Sequence, residues 1–145
     1  MIIPGEIAVK TGLIINLFNR AKQIQPKSVD LSLRRVQKWV TAGEITFNTA
    51  NRAVTRDVQF EPSDRPLHLS TGSYLVEFNE SVNLSEGYHG SVAARYESWG
   101  ILLSTQPLVD RKDVPLWATL QVLNPYGIKL YKNARIGQIV FHTDY

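Results

Sequence analysis

The 145-residue sequence contains no cysteine. A disulfide framework, a thiolate zinc site and a cysteine nucleophile are therefore excluded. It also lacks any apolar run long enough to span a bilayer, so no membrane partner is expected. The first residues lack the charged start, apolar middle and small-residue cleavage site of a secretory signal, which makes the cytoplasm the expected location. Charge of one sign is scarce: 16 Lys and Arg against 13 Asp and Glu leave a net +3. The densest basic grouping is Arg34-Arg35 with Lys38, well short of the stripe that holds nucleic acid. The expectation is weak attraction for a small anion and no nucleic-acid partner. The three histidines, His68, His89 and His142, have no metal-ligand spacing. No glycine-rich loop opens a helix, and no Ser-His-Asp order is recognisable. Internal repeats and strong helical periodicity are missing too.

What is present is strand pattern, on a length that suits a single domain over residues 1–145. Gly5 to Gly12 reads as one short helix, and Leu13 to Phe18 as a β-like run. Val29, Leu31 and Leu33 alternate with Ser28, Asp30 and Ser32. An acid in such a strand either faces solvent, the ordinary case, or partners a buried arginine. Val36–Val40 and Ile45–Phe47 around Thr41–Glu44 predict a hairpin, Asn48–Asp57 a polar excursion, and Pro62–Pro66 a loop. Further strands are expected at Ser73–Phe78, Val82–Leu84, Ile101–Leu103, Leu116–Leu123, Ile128–Tyr131 and Arg135–Phe141, with a charged loop at Arg111-Lys112-Asp113. Short strands about ten residues apart indicate an all-β sandwich or jelly roll.

The chemistry concentrates between Gly90 and Asp110. A small-residue run, Ser91-Val92-Ala93-Ala94, leads to Arg95 and a polar turn, Tyr96-Glu97-Ser98-Trp99-Gly100. Ser104-Thr105-Gln106 and Pro107 then turn into Leu108-Val109-Asp110. Arginine grips phosphate through a planar fork, and a carboxylate can orient and deprotonate water. The same residues would also suit an ordinary salt-bridged hairpin.

Taken in order, these pieces resemble the dUTPase and dCTP deaminase superfamily. Pro26-Lys27-Ser28-Val29-Asp30-Leu31 is similar to its first motif, and Arg95 stands where the second motif keeps its arginine. Leu108-Val109-Asp110 matches the third motif, and Asn124 falls near the strand-ending asparagine. Ala134-Arg135-Ile136-Gly137-Gln138-Ile139-Val140-Phe141 resembles the fourth. The resemblance implies a dUTPase-like jelly roll, a distorted β-barrel, assembled as a homotrimer with sites between subunits. It implies dUTP as substrate, with Arg95, the Glu97-Ser98 turn, Arg135 and Gln138 around the triphosphate. Ser104, Thr105 and Gln106 would read the pyrimidine edge, Trp117 would flank the deoxyribose, and Asp30 would give structural support. Asp110 would be the catalytic base. Mg2+ would be held mainly through substrate phosphates, with no protein residue assigned as a metal ligand.

Within the superfamily, deaminases carry a catalytic glutamate three residues before the strand-ending asparagine. That position here is Gln121, and an amide cannot accept a proton from water as a carboxylate does. Hydrolysis of dUTP to dUMP and pyrophosphate is therefore expected over deamination of dCTP. The second motif reads Arg95-Tyr96-Glu97-Ser98 instead of Arg-Ser-Ser or Arg-Ser-Gly. A catalytically weak nucleotide-binding or regulatory member of the family and an unrelated β-sandwich binding module remain as alternatives.

Overall fold

A computed structural model describes residues 1–60 and 65–144. The chain begins with β1 (Ile2–Ile3), α1 (Gly5–Lys10), β2 (Ile14–Ile15), α2 (Arg20–Gln23) and β3 (Val29–Trp39). Next come β4 (Glu44–Ile45), β5 (Ala50–Asn51), β6 (Thr55–Val58), β7 (Leu67–Leu69), β8 (Gly72–Phe78) and β9 (Ser81–Asn83). β10 (Tyr88–Ala94) leads through a 3-10 turn (Glu97–Trp99) to β11 (Ile101–Ser104), β12 (Leu108–Val109) and β13 (Lys112–Asp113). β14 (Trp117–Val122), β15 (Ile128–Leu130) and β16 (Arg135–Thr143) complete it. The fold is mostly β, as the strand spacing predicts.

Among the described residues, one large sheet runs β11-β14-β8-β3-β16-β10-β12, with β1 added on β16 and β6 on β3. Register shifts between Leu33 and Arg35 and between Arg135 and Gly137 interrupt the ladders on either side of β3. Such bulges bend a strand and increase its twist, and the sheet curls into a half-barrel. Inside the curl, Val29, Leu31, Leu33 and Val36 meet Val76, Phe78, Leu120, Ile139 and Phe141, all buried. Each such side chain contributes about 1.5–3 kcal/mol by leaving water.

β3 departs from simple alternation, because every residue from Val29 to Leu33 is buried. Its second face is covered too. α2 lies against it, capped by Asn19, whose side chain accepts from the Lys22 N–H, and Glu80 reaches in from the β8–β9 turn. The short helix predicted at the N-terminus forms as α1. Glu6 in its first turn and Lys10 in its last suit the helix dipole, and Gly12 (φ 78°) carries the chain out of it.

Three local expectations are corrected. Val36–Val40 does not pair with Ile45–Phe47. Val36 to Trp39 instead pair with Thr55–Val58, and the intervening hairpin is β4 on β5. Cross-strand partners at β6 let β3 continue unbroken, and part of the expected polar excursion is therefore strand. Of the run Leu13–Phe18 only Ile14–Ile15 pairs, with Ser81 and Val82, since Asn16 turns the chain with φ 66°. The charged loop after Asp110 is partly strand, Lys112 and Asp113 pairing with β9. Pro62, Ser63 and Asp64 of the expected loop lie outside the described residues.

Candidate functional site

The strand register builds a basic cluster. Gln138 on β16 stands opposite Ala93 of β10 on one side and Asp30 of β3 on the other. Directly opposed residues share a face of the sheet, and residues two apart return to it. Arg95, two beyond Ala93, therefore arrives over Asp30, and its backbone N–H is fixed by the Ile136 carbonyl at 3.0 Å. Asp30 is only 1% exposed. Its carboxylate faces Arg95 Nε at 3.5 Å and accepts from Arg135 Nη1 at 3.3 Å and Gln25 Nε2 at 3.0 Å. Arg135 Nη1 also donates to the Lys22 carbonyl at 2.8 Å. Asp30 is thus a buried partner of two half-buried arginines, not the solvent-facing acid that strand alternation favours.

Two guanidinium groups on one carboxylate leave about one positive charge unmatched, which draws anions. The Arg95 guanidinium lies over the Tyr96 ring at 5.0 Å, and Tyr96 meets Trp99 edge-on at 5.4 Å. Arg95 Nη1 is buried and has no hydrogen-bond partner. A buried N–H left unsatisfied costs about 1–3 kcal/mol, so this donor suits an acceptor brought by a ligand. Glu97 and Ser98 lie exposed in the 3-10 turn beside it. That turn closes at Gly100 (φ 84°), where an added Cβ would stand 2.7 Å from Asn124 Cβ. The Asn124 side chain donates to the Trp99 carbonyl at 3.2 Å.

A second region gathers Ser104, Thr105, Gln106 and Trp117. They line a cleft of about 490 Å³ with Arg111 and Thr119. The Arg35 guanidinium sits 5.4 Å from the Trp117 ring centre and is paired with buried Glu77. The same Ser104–Gln106 segment borders a second cleft of about 470 Å³ against His89, Gly90, Ser91 and Val92 of β10. Backbone and hydroxyl groups on a hairpin with an open cleft on each side can read the edge of a planar ring.

Asp110 lines neither cleft. It is exposed and holds a left-handed backbone (φ 47°) just after β12, a conformation that Asp tolerates better than most residues. Val109 pairs with His89 at the start of β10, whereas Arg95 lies six residues further along. At a strand rise of about 3.3 Å per residue, some 20 Å separate them. One chain brings Asp30, Arg95, Arg135 and Gln138 together, and Ser104, Thr105, Gln106 and Trp117 together, with Asp110 apart from the arginines. Gln121 is exposed on β14, opposite Leu102 and Ser73.

Sequence reasoning missed three residues around Asp30. Gln25 binds its carboxylate, Gln23 binds its carbonyl at 2.8 Å, and Glu80 binds Gln23 at 2.9 Å. Glu80 is fully buried. Burial pushes its carboxyl above the usual range, against the opposing pull of hydrogen bonds from Ser32 and Gln23. The available signal was an acid between Asn79 and Ser81 in a turn flanked by apolar strands. Among the described residues, no three His, Asp or Glu side chains gather where they could hold a metal ion. No helix among them is long and apolar enough to cross a membrane.

Comparison with known proteins gives a consistent family. The family model described as dCTP deaminase-like matches residues 5–143. A probable deoxyuridine 5'-triphosphate nucleotidohydrolase of Methanosarcina mazei is 33% identical over 135 residues, covering 90% of this chain and 78% of that protein. A protein of the same description from Archaeoglobus fulgidus is 32% identical over 140 residues, covering 94% and 82%. The crystal structure of 2'-deoxycytidine 5'-triphosphate deaminase from Agrobacterium tumefaciens has the same fold, with a TM-score of 0.71 at 18% identity. The likeness covers 99% of this chain, which spans 48% of that one. With nearly every described element inside the matched span, the chain belongs to the dCTP deaminase-like family.

Proposed function

We propose that the chain is a dUTP diphosphatase, cleaving dUTP with water to dUMP and pyrophosphate. The observation that carries this is the buried, unpartnered Nη1 of Arg95 inside a net-positive cluster. Such a donor fits a phosphate oxygen. Arg95, Gln138 and Arg135 bind the triphosphate, with the Ser98 hydroxyl and the Glu97 turn at its edge. Backbone groups of Ser104, Thr105 and Gln106 read the pyrimidine, and Trp117 flanks the sugar. Asp110 orients a water molecule and takes its proton as the water attacks the α-phosphorus; the α–β bridging oxygen leaves with pyrophosphate. The sparse carboxylates of the cluster fit Mg2+ carried chiefly by phosphate oxygens, its usual manner of binding. There the ion would offset charge developing on the leaving group.

A separation of about 20 Å along β10 is too great for Asp110 and Arg95 of one chain to serve one substrate. The reading therefore includes a jelly-roll homotrimer in which one chain supplies Asp110 and a neighbour supplies Arg95. The test is co-expression of two inactive variants, Asp110→Asn and Arg95→Ala. Each alone should lose about 10²-fold or more in pyrophosphate release from dUTP, and mixed oligomers should regain a substantial fraction. Mixed oligomers as inactive as their parents would overturn the shared site. Uridine nucleotides formed from dCTP would overturn the choice of reaction, which rests on Gln121.

A further inference from the structure

Glu80 presents a physical puzzle. A carboxylate with no exposed surface is costly to bury without a cation, and among the described residues no cation pairs with it. It is met by three neutral donors: Ser32 N–H at 2.7 Å, Ser32 Oγ at 2.6 Å and Gln23 Nε2 at 2.9 Å. An apolar side chain at this position would strand the buried Ser32 N–H and Gln23 Nε2 donors, so the carboxylate is the acceptor that holds these groups in place. Its bonds lead in one direction. Gln23, itself 1% exposed, donates to Glu80 and to the Asp30 carbonyl, and accepts from the Asn19 N–H at 2.6 Å. Its hydrogen-bonding capacity is taken up on three separate segments. Asp30 then turns its carboxylate to both arginines.

We propose that the buried Glu80–Gln23 pair positions the arginine cluster: Glu80 fixes Gln23, Gln23 fixes the backbone of Asp30, and Asp30 aims Arg95 and Arg135 at the anion. This rests on the reading of Arg95 as the phosphate-binding residue. Glu80 and Gln23 touch no substrate and are positioning residues. Misplacing a binding group by an ångström is enough to weaken a bidentate contact. Asp110 takes no part in the hydrogen bonds that join Glu80, Gln23 and Asp30.

The test uses the full chain with two variants, Gln23→Met and Glu80→Gln. Calorimetric binding of inorganic tripolyphosphate with Mg2+ and steady-state dUTP hydrolysis are measured well below each variant's melting temperature. Both variants should weaken tripolyphosphate about tenfold, the worth of one charge-assisted bond, and raise KM similarly with kcat within about twofold. Should Glu80→Gln fail to fold, Gln23→Met leaves both Ser32 bonds to Glu80 in place and still interrupts the link. Unchanged tripolyphosphate affinity in the folded variants, while Arg95→Ala loses it, overturns the positioning role alone. An equal fall in kcat with KM unchanged also overturns it. Undiminished tripolyphosphate binding by Arg95→Ala removes the underlying assignment, and this proposal with it.

Discussion

Replacing Asp30 with asparagine keeps its shape and removes its charge. In the parent, that charge is buried and faces Arg95 and Arg135 at 3.5 and 3.3 Å. Taking one partner from a fully buried pair costs about 3–5 kcal/mol. Here the arginine side chains are 22% and 36% exposed, so water relieves part of the stranded charge and about 2–3 kcal/mol is the better figure. The new amide also turns an NH2 toward donors already aimed at Asp30, among them Gln25 Nε2 at 3.0 Å. For a chain of this length 1 kcal/mol moves Tm by about 3 °C, so Asp30→Asn should melt roughly 6–9 °C lower. Differential scanning calorimetry at one fixed protein concentration measures it. A buried carboxylate is poorly screened, so raising salt from about 50 mM to 1 M should leave most of the difference in place. A Tm within about 2 °C of the parent, or a difference abolished by salt, would show that Asp30 holds nothing.

Two further outcomes follow from local geometry. Gly100→Ala places a Cβ 2.7 Å from Asn124 Cβ at φ 84°; urea unfolding should show a loss of about 1–3 kcal/mol, and near-parental stability would contradict the tight turn. Glu80 is held more readily protonated in the fold than its ordinary value of 4.5. Its titration makes stability fall as pH rises from that value through the higher folded one, because over that range the native state holds more protons than the unfolded chain. The stability of the parent relative to Glu80→Gln should accordingly decline from acid to neutral pH in paired urea titrations, and a rise would refute the assignment.

The strands of the curled sheet were legible because most carry one buried face, as Tyr74, Val76 and Phe78 do on β8. Alternation fails on β3 for a physical reason. Both of its faces are covered between Val29 and Leu33, so the residue that alternation assigns to solvent, Asp30, is the most enclosed acid of the arginine cluster. The hairpin expected over residues 36–47 failed because a turn signal at Thr41–Glu44 gives no information about which strand lies beside Val36. Its partner, Val58, is more than twenty residues away. α2 spans only four residues, too short for periodicity to register. The proposed site residues Arg95, Asp110 and Gln138 were chosen by their order along the chain. That order does not give the distance of Asp110 from the other two, since it depends on which end of β10 each one meets.

β3 also divides the molecule by how readily it opens. Its first half is central, bonded to β16 and enclosed on both faces. Its second half is held between β8 and β6 as far as Gln37, and beyond that Lys38 and Trp39 have β6 and the exposed β4–β5 hairpin. Amide protons of Leu31 and Leu33 will exchange only when much of the domain unfolds, while those from Lys38 to Thr55 exchange through fraying that leaves the centre closed. Insertions or deletions between Val40 and Val54 then act on the frayed end alone. The length of this outer arm can drift without a register slip reaching Asp30.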